Sequence, residues 1–301
     1  MRARGILIAS VCITLFVLLF CLSSGAYACA SCGSGGDDPL ILYPNERLKI
    51  FSGVSNTSNF ENIDPDGSAS NAGGPKTKQT LTSAIGYGIS PRAFATLTLP
   101  VVRNVLGPSS RHAIGDPSVA GRYSVFLQSI DEPLLPQVQL VYGYKHAQAK
   151  SLRDSNELKT LIDVFGSGFS EAKFGLDVWL GITELKPGIS QQFSIPIKKN
   201  FAGVTFEPGL ISKTTLSLGY NVFEHWKATL GVVRDLRAPL KVDGVAQKNS
   251  EQLNHSVFAT SDYRITEAGT IRVAVSRLAA LAENHNTIKS DTFNLAYMQN
   301  L

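Results

Sequence analysis

The sequence predicts an all-β protein, a transmembrane antiparallel up-and-down β-barrel of about 12 strands. Three observations carry this: period-two alternation, connections that alternate between short and long, and charged residues at positions on the polar faces. In segment 137–146, Val138, Leu140, Tyr142 and Tyr144 share one face. Gln137, Gln139, Gly143 and Lys145 share the other, with Val141 the apolar exception. Phe174, Leu176, Val178, Leu180 and Ile182 alternate in the same way with Lys173, Asp177 and Gly181. A period of two is that of a β-strand. A barrel in lipid turns the apolar face outward and the polar face into its lumen. A soluble periplasmic β-sandwich, the rival architecture, does the opposite.

Residues 1–28 read as a cleaved secretory signal peptide. Arg2 and Arg4 form a basic start, 6–20 is an apolar run, and Ala26-Tyr27-Ala28 is an A-x-A cleavage site. A retained N-terminal anchor is the competing reading, and no later segment approaches the ~18 apolar residues of a membrane helix. Residues 29–45 form the next unit, an N-terminal Cys-x-x-Cys segment followed by a flexible linker, polar and glycine-rich over 33–45. Cys29 and Cys32 are the metal or disulfide candidates. In an oxidising compartment such a pair closes a small disulfide, or it offers thiolates to a soft metal or a redox partner. Lipidation of Cys29 is the third option, although Ala26 stands where a lipoprotein signal normally has Leu. Gly33 excludes a haem-attachment motif, which requires His there.

The barrel is expected over 46–301. Its strands fall in turn at 47–55, 79–89, 93–102, 117–127, 137–146 and 171–183. They continue at 191–198, 210–222, 226–236, 253–265, 270–278 and 291–299. Connections 90–91, 130–135, 221–225 and 266–269 are tight, whereas 56–78, 104–116, 147–170, 238–252 and 281–290 are long and polar. Short turns on one side and long loops on the other are the outer-membrane pattern. Tyr87, Tyr123, Tyr142, Tyr144, Tyr220, Trp226, Tyr263 and Tyr297 lie on apolar faces, many near strand ends, where interfacial girdles form. The last strand alternates Phe293, Leu295 and Tyr297 with Thr292, Asn294 and Ala296, a form that barrel assembly machinery recognises, although the chain ends in Leu301. Charged residues are 17% of the chain, below the ~25% usual for soluble proteins. The net charge of +4 comes without a Lys/Arg run, so nucleic acid is not an expected partner.

The stretch Ile114-Gly115-Asp116-Pro117-Ser118-Val119-Ala120-Gly121-Arg122-Tyr123 resembles a G-D-x-x-x-x-x-[KR]-Y hairpin strand. It is similar to one in Gram-negative outer-membrane barrels of the meta-pathway phenol-degradation, transporter-like family. Gly219-Tyr220-Asn221 before a tight turn and the alternating segment 169–181 resemble the same group. The resemblance covers about residues 46–301 and implies a 12-strand-like channel for hydrophobic or aromatic compounds. An N-terminal C-x-x-C-G is not part of that pattern.

No catalytic constellation is evident, and the chain is read as a non-enzyme without a cofactor. The five histidines stand singly, and His255 with Ser256 or Ser261 only imitates a hydrolase pair. The candidate lumen-lining residues are Arg122, Lys145, Glu171, Lys173, Asp177, Lys227, Arg264 and Arg272. They either pair with one another in a filled interior or line a pore whose charge sets solute preference. The expected function is passive movement of a small solute through the outer membrane, with membrane lipid around the barrel. The alternative is a closed docking barrel whose cysteine pair contacts a periplasmic metal or redox partner.

Overall fold

The computed structural model describes residues 40–44, 46–71, 77–129, 131–181, 183–279 and 283–301. The signal-peptide segment and Cys29 and Cys32 lie outside them. Twelve antiparallel strands close into a barrel. In chain order they are β1 (Leu48–Ile63), β2 (Thr77–Ser90), β3 (Ala93–Leu106), β4 (Ser118–Phe126), β5 (Gln137–Lys145) and β6 (Glu171–Trp179). The remainder are β7 (Leu185–Pro196), β8 (Ile211–Phe223), β9 (Trp226–Arg237), β10 (Gln252–Arg264), β11 (Gly269–Leu278) and β12 (Thr287–Asn300). Each strand pairs with its neighbours in sequence, and β12 pairs with β1 from Lys49↔Asn300 to Ile63↔Thr287, which removes both sheet edges.

All twelve expected segments are strands, but several run further than composition indicates. β1 continues through Asn56, Thr57, Ser58 and Asn59, residues that read as loop, and β12 begins at Thr287. Cross-strand pairs hold this polar extension: Thr57 and Thr292 share a hydroxyl hydrogen bond (2.9 Å), and Lys289 meets Glu61 at 2.9 Å. β7 starts at Leu185 rather than near residue 191. The connections also alternate where the sequence left gaps. β6 ends at Trp179 and β7 begins at Leu185, a short connection on the short-turn side. Between β7 and β8 it builds a small hairpin, Lys199–Phe201 with Val204–Glu207, which pairs onward with Lys241–Val242 and Val245–Ala246 from the β9–β10 loop.

The outer surface is apolar. Leu97, Val119, Leu140, Phe174, Ile189, Leu216, Val232, Val257, Val273 and Leu295 are all exposed there. At the short-turn edge Tyr87, Tyr123, Trp226, Tyr263 and Tyr297 stand in a row of outward rings. At the long-loop edge the outward positions become charged, with Arg103 reaching Gln79 and Arg277 pairing with Asp291. In place of an enclosed hydrophobic centre, the interior is largely polar, with Thr96, Ser124, Gln139, Ser190, Thr215 and Thr229 buried.

One part of the interior is apolar, and it corrects the linker expectation. Residues 40–43 are not a free tether: Leu40, Ile41 and Leu42 are buried against Phe51, Ala84, Phe94, Ala296 and Met298. The Leu42 side chain lies over Gly86, where a Cβ would approach it to 2.5 Å, so this glycine makes room for the strap. The chain reverses after Tyr43, whose amide donates to Glu46 (2.9 Å). Lys49 then bonds both the Glu46 carboxylate and the Ile41 carbonyl (3.2 Å). Asn300 closes the turn by donating to Glu46 (2.7 Å). An apolar triplet this short has no stable home in water, and the barrel mouth supplies one.

Candidate functional site

Alternation on every strand points one set of side chains inward, and these divide the lumen into two halves. The short-turn half is occupied by buried side chains. Arg122 and Asp177, 1% and 0% exposed, form an ion pair there. Ser190 donates to the same carboxylate (2.5 Å), and Gln192 donates to Ser190 (3.2 Å). Gln139 donates to Ser124 (2.8 Å), and Lys186 to the Gly181 carbonyl. On the opposite wall Asp262 lies between two cations, Arg272 at 2.7 Å and Lys227 at 3.9 Å. With the strap of residues 40–43, these groups fill that end.

The long-loop half holds a cavity of about 750 Å³ walled by all twelve strands. Ser118, Ser194, Ser256 and Thr292 contribute hydroxyls, and Lys145, Glu171, Lys173, Lys213, Asp235, Arg237 and Arg272 contribute charge. The β5–β6 loop folds onto the inner wall at this end. Asn104 on β3 donates to the carbonyls of Ile162 (3.1 Å) and Val164 (2.7 Å). Asp116 clamps both ends of the loop, accepting from the amides of Gln148 (3.1 Å), Ala149 (3.0 Å) and Ser167 (2.9 Å). Gly166 packs directly on that carboxylate, with no space for a side chain. Arg153 anchors the middle of the loop, its guanidinium against Phe169, Phe201 and Phe206, 3.5 Å from the last ring. The Lys150 ammonium and the Ser155 hydroxyl hold the Asp163 carboxyl well below the usual carboxylate range.

A closed, polar-lined barrel with an apolar exterior has solved counterparts. An outer membrane channel from Pseudomonas putida F1 superposes with a TM-score of 0.66 at 10% identity, covering 93% of this chain and all of that one. The NanC porin superposes with a TM-score of 0.51 at 8% identity, over 84% of this chain and all of that one. The fold is that of an outer-membrane β-barrel. No protein-family model matches the chain, and no curated protein matches it in sequence.

The eight nominated charges fall into three groups. Lys145, Glu171, Lys173 and Arg272 line the cavity, with Lys145 and Glu171 paired. Arg122, Asp177 and Lys227 point inward but are packed in the filled half, so they are sealed rather than water-facing. Arg264 does not reach the cavity, because β10 ends there. Its guanidinium lies at the short-turn rim, 3.0 Å from Nδ1 of His225 and 3.5 Å from the Glu224 carbonyl. The imitation hydrolase pair does not form: Nδ1 of His255 meets the Glu283 carbonyl (2.9 Å), and Ser261 accepts from the Trp226 indole (2.7 Å).

Sequence reading missed Lys213, Asp235, Arg237 and Asp262. They stand on the same polar faces as the nominated charges, so the alternation that pointed to Lys227 reaches them too. The strap had its own signal, three apolar residues between Pro39 and Pro44 inside a polar stretch. The Asp116 clamp gives the G-D pair of the family-like motif a structural task.

Proposed function

We propose that the protein is a passive outer-membrane channel for small solutes, exported through a cleaved signal peptide and inserted by the barrel assembly machinery. The observation that carries this is the roughly 750 Å³ charged and hydroxyl-lined cavity inside a barrel whose outer face is apolar. An apolar exterior this large needs lipid, and a polar interior needs water. The cavity wall mixes apolar side chains, among them Phe51, Pro100, Ile211, Val233 and Phe258, with ammonium and carboxylate groups. The charged groups lose hydration against an apolar solute, which favours a hydrophilic or charged one over the hydrophobic or aromatic compounds that the family resemblance implies. Reconstitution into liposomes and swelling in isotonic solutes of graded size tests the reading. Swelling that falls with solute size is expected, and swelling no faster than in empty liposomes contradicts it.

The filled short-turn half supports a second reading, a closed docking barrel whose Cys29 and Cys32 contact a periplasmic metal or redox partner. Titration of the detergent-purified protein with Cu(I), beside its Cys29→Ser/Cys32→Ser variant, separates the two. Tight binding lost in the variant, with no swelling, favours docking.

A further inference from the structure

We propose that the long-loop cavity is an anion-selecting vestibule, so that the solute it admits is a small molecule bearing negative charge. This rests on the channel reading and adds a substrate class to it. Five cationic side chains, Lys145, Lys173, Lys213, Arg237 and Arg272, line the cavity against three carboxylates, those of Asp116, Glu171 and Asp235. Each of these acids has a partner, Asp235 standing opposite Lys213 across β8 and β9, and the excess is the formal one of five cations over three carboxylates. Both oxygens of Asp116 accept backbone amides of the β5–β6 loop, and Glu171 is paired with Lys145. A further cation, Lys78, stands on the inner face of β2 opposite Asn104. At the cavity floor one carboxylate, Asp262, lies between Arg272 and Lys227.

The balance of fixed charge along the cavity is therefore positive from the loop end to the floor. Its walls are protein backed by an apolar exterior, so field lines are focused into the water-filled space rather than spread through solvent. Rings of Lys and Arg give pores a preference for anions. Hydroxyls of Ser118, Ser194, Ser256 and Thr292 between the cations provide donors that replace part of an anion's hydration.

The test is the reversal potential of the reconstituted channel in planar bilayers under an about tenfold gradient of KCl, whose two ions move at nearly equal rates in water. The expected sign is that of a chloride-preferring pore, with a permeability ratio above unity. The permeability ratio should fall toward unity when the gradient is reset to roughly threefold with the dilute side at about 1 M, where the screening length falls to ~3 Å. Lys173→Gln/Lys213→Gln/Arg237→Gln should move the ratio toward unity, and Lys289→Gln, on the outer face, should leave it unchanged. The wild-type sign is informative without any variant. A current that reverses near zero or with the cation sign overturns anion selection and leaves the channel standing. A protein that carries no current overturns both. A ratio above unity that the triple variant leaves unaltered overturns the assignment to this lining.

Discussion

Arg122 and Asp177 are 55 residues apart in sequence and meet because the β4–β5 and β5–β6 registers bring them to one level of the interior. Both are sealed from solvent, so removing one leaves a buried charge without its counter-ion. Asp177→Ala should cost about 3–5 kcal/mol of stability, read as a lowered urea midpoint of the folded, heat-modifiable band. Arg122→Leu/Asp177→Leu should recover much of that loss. Asp163 behaves differently, because its carboxyl titrates outside the strands. Lys150, Ser155 and the Asn156 amide favour its charged form and depress the folded-state pKa. The stabilisation it gives the β5–β6 loop is complete above the unfolded carboxylate value of about 3.9 and is lost as pH falls through the lower folded value. Pepsin should leave the loop intact near pH 5 and cut it only well below the ordinary carboxylate range. Asp163→Asn should make the same loop open to trypsin at Lys159 at neutral pH. That Arg122 and Asp177 point inward was legible from the period of two. That they pair was not, since pairing depends on register between strands.

At the scale of elements, what the sequence revealed followed its chemistry. Strands with alternating faces, such as β5 and β6, were placed within a residue or a few of their ends. The polar ends of β1 and β12 were read as loop because strand there is held by cross-strand pairing, which a single segment does not display. The strap was read as linker because its glycine-rich neighbours outweigh three apolar residues, and only the barrel mouth gives those residues a place to be buried. The β5–β6 loop carries no periodicity at all, and its inward fold rests on Asn104, Asp116 and the aromatic contacts of Arg153. The two faces of a strand are separable by substitution. Leu97, exposed on β3 between exposed Arg92 at the turn and outward Arg103 above, lies in the middle of the apolar belt. Leu97→Arg should cost roughly 2–4 kcal/mol if that belt faces the bilayer midplane, and the measurement is the yield and urea resistance of the heat-modifiable species.

The whole molecule is a barrel closed by β1 and β12, open in its long-loop half and occupied in its short-turn half. Closure and strand number were legible because each strand pairs with its sequence neighbour, so the meander needs no long-range information. The occupied end was not, because it joins a segment ahead of the first strand to side chains from both ends of the chain. In a channel the strap is one of the groups that narrow the short-turn end, beside the Arg122–Asp177 pair and Asp262 with its two cations, and its release should raise the conductance. Leu40 and Leu42 are its buried anchors, and each fully buried Leu contributes about 1.5–3 kcal/mol. The decisive measurement is single-channel current in planar bilayers for the wild type beside Leu40→Asp/Leu42→Asp. The expected result is a small or intermittent wild-type current and a larger, steadier one when the strap is released. Equal currents would remove the strap from the conduction path, and the absence of current from both would contradict the channel itself.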